Sequence, residues 1–199
     1  MRILLIGATG AIGSAVYKDL VQRHEVVTAG RSTGDVQVEI ASAESIAAMF
    51  EQVGCVDAVV STPGAAYFGA LSELTPEKNE IAIQNKLKGQ INLVLLGHPY
   101  VADRGSFTLT TGIIMDDPVA GGASAAMASG GVKAFVQAAA IEMPREIRIN
   151  NVSPNVLEVS SKKYEPYFPG FIPVSSERVA QAFRKSVEGA QTGKTYTVY

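Results

Sequence analysis

Short apolar runs alternate with amphipathic helical segments along the whole chain, and this alternation restricts the possible folds more than any other feature. The pattern predicts strands over residues 3–6, 25–29, 36–40, 56–60, 106–110, 148–152 and 195–199. It predicts helices over residues 11–23, 45–53, 77–96, 124–143 and 177–188. Strands that alternate with helices form a parallel sheet that helices cover on both faces. We therefore expect a single α/β domain over residues 1–199, with a doubly wound parallel sheet of about seven strands.

The composition indicates a folded globular chain and argues against several function classes. Of 199 residues, 47% are hydrophobic and 18% are charged, a balance that disordered chains lack. Lys and Arg total 17 against 19 Asp and Glu, so the basic excess of a nucleic-acid binder is missing. The single cysteine and the two distant histidines give no metal-binding spacing. Since no apolar run reaches the ~18 residues of a membrane span, we expect a cytoplasmic protein without metal, nucleic-acid or membrane partners.

The turn after the first strand is rich in glycine and opens the first helix. Glycines allow a tight turn, a close approach of phosphate and close packing of the helix on the strand. The free N–H groups and the positive dipole at a helix N-terminus attract phosphate. We predict a Rossmann-type site for the pyrophosphate of a dinucleotide at Gly7, Thr9, Gly10, Ala11, Ile12 and Gly13. The alternative is a tight strand–helix turn that binds no ligand.

The end of the second strand indicates which dinucleotide is preferred. A site that prefers NAD carries Asp or Glu here, which accepts a hydrogen bond from the ribose 2′-hydroxyl. This chain has Gly30 instead, followed by Arg31 and Ser32. A guanidinium beside a hydroxyl suits a 2′-phosphate, so we predict NADP rather than NAD. The alternative is that Arg31 is a solvated loop charge.

Further motifs complete a resemblance to the short-chain dehydrogenase/reductase family over nearly the whole chain. After the glycine turn come Val38-Glu39-Ile40, Ser61-Thr62-Pro63-Gly64, Lys86-Leu87-Lys88-Gly89, residues 148–155 and Thr192-Gly193-Lys194, in the family's order. The resemblance implies an NAD(P)-dependent oxidoreductase. It also adds residues to the predicted cofactor site, namely Glu39, Ile40, Ser61, Thr62, Pro63 and Gly64.

The residues that carry the family's chemistry are replaced in this chain. Members of the family support hydride transfer with a Tyr, a Lys four residues later, a Ser and an Asn. When residues 130–135 are aligned with the family's small-small-Val-x-x-Phe stretch, these positions hold Ala125, Ser129, Gly112 and Lys86, in that order. No Tyr of the chain precedes a Lys by four residues, so no other register restores the pair. The chain resembles a small subgroup of short members that keep the glycine turn and lack these residues.

Three side chains at or near the replaced positions are candidates to take over part of the missing chemistry. Thr110 and Thr111 precede Gly112 and could orient a substrate, although ordinary strand-end residues give the same pattern. Lys86 could bring an ammonium group to the site. The pattern favours a lysine that extends from the surface of a helix with its charge in water.

The connection after the sixth strand contains four aromatic residues, and in the family it covers the substrate. It is a lid in which Tyr164 or Tyr167 supplies a proton, a packed loop, or an oligomer contact. The resemblance further implies a homodimer or homotetramer built through the two long helices, residues 77–96 and 124–143.

Two functions agree with these observations. One is an NADP-dependent oxidoreductase of a small carbonyl or enone substrate, with a non-standard or absent proton donor. The other is a non-catalytic NADP(H) sensor or partner-binding module. The glycine turn and Arg31 support both, and the replaced residues favour the second. A fold that has lost its cofactor agrees least with an intact glycine turn.

Overall fold

Seven strands form one parallel sheet in the computed structural model, which describes residues 1–199. They are β1 (Arg2–Ile6), β2 (Glu25–Gly30), β3 (Val36–Gln37), β4 (Val56–Ser61), β5 (Val101–Thr110), β6 (Arg148–Pro154) and β7 (Thr195–Val198). Their spatial order is β3-β2-β1-β4-β5-β6-β7, and every neighbouring pair is parallel. The order reverses between β1 and β4, and doubly wound sheets bind ligands at the carboxyl ends of the strands beside such a reversal. The predicted doubly wound α/β sheet is confirmed.

Helices cover both faces of this sheet. They are α1 (Ala11–Leu20), α2 (Ala43–Val53), α3 (Pro76–Ala82), α4 (Gln90–Gly97), α5 (Ala123–Ala139), α6 (Ser161–Tyr164) and α7 (Ser176–Glu188). Short 3₁₀ turns lie at Leu71–Glu73, His98–Tyr100, Ile113–Met115, Pro144–Glu146 and Glu158–Ser160. None of the helices combines the length and the apolar character that crossing a membrane requires.

The core consists of two apolar layers, one on each face of the sheet. Along β1, Leu4 and Ile6 face one layer, and Ile3 and Leu5 face the other, because successive side chains of a strand point to opposite faces. The first layer packs α2, α4 and α5 on the sheet through Ile46, Phe50, Leu93, Val132 and Val136. The second packs α1 and α7 through Val16, Leu20, Val179, Phe183 and Val187. The strand is therefore apolar at every position, as a doubly covered parallel strand requires.

The helix predicted over residues 77–96 is continuous in the chain but not regular. Between α3 and α4, Ile83–Gly89 adopts a π-helical conformation. A π-helical turn holds more residues than an α-helical turn, so the faces of the helix shift across this segment. Lys86 lies in its middle, which matters for the site described below.

Other predicted boundaries are also wrong. Helix α1 ends at Leu20 rather than at residue 23, and β5 begins at Val101 rather than at residue 106. The predicted strand over residues 36–40 is only Val36–Gln37, because the backbone N–H of Glu39 donates to Ser45 Oγ at 2.9 Å instead of to a neighbouring strand. The predicted helix over residues 124–143 ends at Ala139. There the hydrogen bonding tightens, with Glu142 N–H donating to the Ala139 carbonyl, and Met143 before Pro144 is extended.

Candidate functional site

The glycine turn between β1 and α1 is closed by contacts that only glycine permits. Gly7 has a φ of +86°, in the left-handed region that other residues rarely adopt. A Cβ on Gly13 would lie 2.0 Å from the Gly7 carbonyl oxygen, so α1 packs directly on the turn. Thr62, at the end of β4, ties the same turn down by donating to the Ile6 carbonyl at 2.8 Å. The turn is thus held rigidly beside the reversal in strand order.

The N-terminus of α1 is free of side-chain capping. Ser42, Thr75 and Ser175 cap α2, α3 and α7 with their hydroxyl oxygens, whereas Gly10 before α1, like Gly122 before α5, has no side chain to do so. A Cβ on Gly10 would meet nothing closer than the Gly7 carbonyl oxygen at 3.4 Å, so no packing contact within the chain explains this glycine. The helix end is open to an anion.

A cleft at the carboxyl end of β2, which we call the Arg31 cleft, encloses about 300 Å³. Its lining includes Gly7, Gly30, Arg31, Glu39, Ile40, Pro63 and Gly64. Arg31 is exposed and makes no hydrogen bond or ion pair, so its guanidinium is available to a ligand. Ser32 is exposed but lies outside this lining, and Ser61 is buried beneath it. The structure therefore brings six of the predicted cofactor residues together in this cleft.

A second cavity of about 390 Å³, which we call the Lys86 cavity, adjoins this cleft at Gly64. Gly10, Ala11 and Ile12 of the glycine turn also line it. The four positions that align with the family's active-site residues meet in its wall, at Lys86, Gly112, Ala125 and Ser129. The lining contains no Asp or Glu, and Lys86 is its only cation.

Lys86 differs from the surface lysine that the sequence favoured. The residue is only 8% exposed, and its ammonium has one hydrogen-bond acceptor, the Thr111 carbonyl oxygen at 3.4 Å. Burial lowers the pKa of Lys86 from 10.5 to about 8. The ammonium also lies close to Gly64, where a Cβ would come within 3.0 Å of Nζ. The π-helical turn carries the lysine inward, and such segments occur frequently at functional sites.

The neighbouring hydroxyl groups have different roles. Thr110 Oγ1 donates to the Ser61 carbonyl at 2.6 Å, and Thr111 Oγ1 donates to the Val152 carbonyl at 3.2 Å, so both stabilise the sheet. Thr110 does not line the cavity, and its geometry fits the strand-end interpretation. Ser129 does line it, is fully buried, and has no hydrogen-bond partner for Oγ.

An aromatic cluster, Phe68 with Tyr164, Tyr167, Phe168 and Phe171, covers the cavity. We call residues 162–172, which carry four of these five rings, the roof segment. Phe68 packs against the rings of Tyr164, Tyr167 and Phe168, with centroids 5.5, 5.4 and 6.4 Å away. Phe68, Tyr164 and Phe168 line the cavity, whereas Tyr167 does not. Of the two predicted tyrosines, only Tyr164 is placed to reach a bound molecule.

Two residues of this region, Phe68 and Asn155, were not predicted from the sequence. Phe68 lies in the loop after β4, where no periodicity marks it. Asn155 lines the cavity and donates to the Ile172 carbonyl at 3.0 Å, which ties the roof segment to the end of β6. An amide directly after a buried strand was the available signal for the second.

Comparisons with known proteins agree with this geometry. The protein lin1944 from Listeria innocua, of solved structure, is 63% identical, with both chains covered completely and a TM-score of 0.99. A solved small-chain dehydrogenase is 25% identical over all of this chain and 95% of its own, with a TM-score of 0.86. Another, solved in complex with NADPH, is 22% identical over all of this chain and 96% of its own, with a TM-score of 0.88. A search of curated proteins found no match.

The family model described as enoyl-(acyl carrier protein) reductase matches residues 7–194, which begin at the glycine turn and end just before β7. The match therefore includes the Arg31 cleft, the Lys86 cavity and the aromatic cluster. Since it covers almost the whole chain, and a solved small-chain dehydrogenase shares the fold over the whole chain, the chain belongs to the short-chain dehydrogenase/reductase family of NAD(P)-using oxidoreductases.

Proposed function

We propose that this protein binds NADP(H) and reduces a small carbonyl or enone compound. The observation that carries the proposal is the continuity between the glycine turn, the Arg31 cleft and the Lys86 cavity. A dinucleotide with its pyrophosphate at the N-terminus of α1 has room for its adenosine half in the Arg31 cleft. Its other half then extends toward the Lys86 cavity, where a small molecule fits beneath the aromatic cluster.

In this proposal, the glycine turn binds the pyrophosphate through Gly7, Thr9, Gly10, Ala11, Ile12 and Gly13. Glu39 and Ile40 border the adenine, and Thr62, Pro63 and Gly64 bound the passage to the cavity. Ser61 supports this passage from below, since its side chain is buried and its carbonyl is bound by Thr110.

The preference for NADP is also part of the proposal. The unpaired guanidinium of Arg31 supports it, because a 2′-phosphate needs a cation that no carboxylate already neutralises. Glu39, in the same lining, accepts a hydrogen bond from Ala41 N–H at 3.3 Å and does not pair with Arg31. The NADPH complex of the 22% identical dehydrogenase agrees with this choice.

When bound, NADPH supplies the hydride that the reduction needs. The chain must bind and orient the acceptor, exclude water and provide a proton. Lys86 and Tyr164 are the two groups of the lining that can donate a proton to an oxygen in the cavity. Thr111 and Ser129 are too weakly acidic for that role, and Tyr167 lies outside the lining.

A second function is favoured by one specific observation. Ala125 and Gly112 bring no functional group to the two positions at which the family binds and protonates a substrate oxygen. A protein that binds NADP(H) and reports its redox state to a partner would need neither group. The partner would be a second copy or another protein, and the exposed Ile81, Leu95 and Met127 on the two long helices offer a surface for a homodimer or homotetramer.

Calorimetric titration with NADPH, NADP and NAD tests the proposal. We expect NADPH and NADP to bind at micromolar concentration and NAD to bind more weakly. Arg31→Ala should weaken NADPH binding and leave NAD binding unchanged, and Arg23→Ala, at an exposed arginine beyond the end of α1, is the control. If NADPH binds, a screen of carbonyl and enone compounds separates reductase from sensor. If no nucleotide binds, both functions are wrong.

A further inference from the structure

Lys86 is the only charged residue that is buried in the molecule. It is buried, none of the ion pairs of the chain includes it, and its one acceptor is a carbonyl oxygen at 3.4 Å. An ammonium carries three N–H donors, so at least two of them have no partner within the chain. Burying an unpaired charge is costly, and buried groups of this kind in a cavity are concentrated at functional sites.

A second unsatisfied group lies in the same wall. Ser129 Oγ is completely buried without a hydrogen-bond partner, although serine hydroxyls of helices commonly bond to their own backbone. Buried polar groups are nearly always hydrogen-bonded in folded proteins, so each exception calls for a physical explanation. Both residues line the same cavity, so an anionic group that enters it can accept from the ammonium and, once the Ser129 side chain turns toward it, from the hydroxyl.

The rest of the lining fixes the chemistry of such a ligand. No Asp or Glu borders the cavity, so its charge is that of Lys86 alone and a cation would be repelled. Phe68, Tyr164, Phe168, Ile113 and Ile114 make the remaining wall largely apolar. A ligand with a planar apolar body and a single negative charge matches this lining. Its apolar body would lie against the aromatic cluster, and its charge would lie at Lys86.

We propose that the Lys86 cavity binds a small organic carboxylate, with the carboxylate on Lys86 and Ser129 and the apolar body under the aromatic cluster. The inference names the substrate class of the proposed reductase, an unsaturated or oxo acid, and to that extent it rests on the proposed function. The recognition itself needs no nucleotide, because both polar groups belong to the chain.

The test uses trans-cinnamate as the probe, with cinnamamide as its neutral counterpart of the same shape. Calorimetry on the full chain, with and without NADPH, should show cinnamate binding at least roughly tenfold more tightly than cinnamamide, the difference expected of a charge-assisted hydrogen bond. Lys86→Met should remove this preference. Lys88→Met, an exposed lysine of the same π-helical segment, should keep it. Ser129→Ala should weaken cinnamate severalfold and serves as the second variant if Lys86→Met does not fold.

Each other outcome has a definite meaning. Equal affinity for cinnamate and cinnamamide, or no binding of either, would overturn the inference. So would a Lys86→Met variant that loses NADPH affinity and keeps cinnamate, because Lys86 would then serve the nucleotide. If cinnamate binds through Lys86 while no nucleotide binds, the carboxylate site stands and the proposed reductase fails.

Discussion

The side-chain amide of Gln90 hydrogen-bonds to both the N–H and the carbonyl oxygen of Thr110. Its Oε1 accepts from Thr110 N–H at 2.7 Å, and its Nε2 donates to the Thr110 carbonyl oxygen at 2.8 Å. The pairing of β4 with β5 ends at Val60 and Thr108, so the Gln90 amide supplies the next hydrogen bonds of β5 in place of a strand. The same Nε2 donates to the Lys86 carbonyl at 3.0 Å, inside the π-helical segment. One buried amide thus joins the end of β5 to the turn that carries Lys86.

Replacing Gln90 by methionine should therefore destabilise the protein strongly. Methionine has a similar volume but leaves the Thr110 N–H and two carbonyl oxygens buried without their partner. Each of these three groups costs about 1–3 kcal/mol, so we expect a loss of at least roughly 3 kcal/mol in the free energy of unfolding. Urea denaturation measures it. Gln84→Met, whose amide donates only to Glu80 at the surface, is the control and should change stability little. A Gln90→Met variant as stable as the control would contradict this account.

Removing the Lys86 charge should have the opposite effect on stability. The buried ammonium gains little from one carbonyl at 3.4 Å, and its pKa falls from 10.5 in the unfolded chain to about 8. Keeping this lysine charged at neutral pH then lowers the free energy of unfolding by on the order of 3 kcal/mol, and Lys86→Met should recover most of that loss. Urea denaturation at pH 7 compares this variant with Lys88→Met, which should resemble the unmodified protein. Destabilisation by Lys86→Met would show that the lysine has a partner inside the fold.

The difference in stability between Lys86→Met and the unmodified protein should change with pH in a definite direction. Between the folded pKa of about 8 and the unfolded value of 10.5, the unfolded chain keeps a proton that native Lys86 has lost. Stability rises with pH wherever the unfolded state binds more protons, so this contribution favours folding as the pH rises from 8 toward 10. The advantage of Lys86→Met should accordingly shrink between pH 7 and pH 10. Tyr196 and Tyr199, whose pKa values are raised by burial, are present in both proteins and cancel in the comparison.

The second and third glycines of the turn, Gly10 and Gly13, should separate binding from folding. Gly13→Ala places a Cβ 2.0 Å from the Gly7 carbonyl oxygen and 2.8 Å from Thr62 Oγ1, so the turn must move, at a cost of about 3 kcal/mol. Gly10→Ala meets nothing closer than 3.4 Å and has ordinary backbone angles, so its stability should change by less than about 0.5 kcal/mol. Its methyl group, however, covers the open end of α1. Thermal denaturation and NADPH calorimetry together should show Gly10→Ala folded but weaker in NADPH binding. Unchanged NADPH affinity would place the pyrophosphate elsewhere.

Residues whose role is local were predictable from the sequence, and residues whose role depends on distant partners were not. The apolar alternation of β1 and the glycines after it follow from backbone geometry, so the sheet and the turn were predicted. Lys86 was expected at the surface because charged residues are rarely buried, and helical periodicity does not reveal a π-helical turn. Thr110, which both ends of the Gln90 amide bind, lies 20 residues away on β5. The contact of Phe68 with the roof likewise joins segments about a hundred residues apart, which no local pattern encodes.

Phe68 should determine what fraction of the molecules has the roof segment open, away from the cavity. It contacts three rings of the roof segment, whereas Phe171 contacts only Phe168, at 5.2 Å. Each aromatic pair contributes about 0.5–1.5 kcal/mol beyond its buried area, so Phe68→Ala should raise the open population of the segment roughly tenfold or more. Trypsin reports this opening, because the exposed Lys162 and Lys163 lie within the segment. Cleavage there should be much faster in Phe68→Ala and only slightly faster in Phe171→Ala, and cinnamate should slow it in the unmodified protein. Equal cleavage rates in the two variants would mean that Phe68 does not anchor the roof.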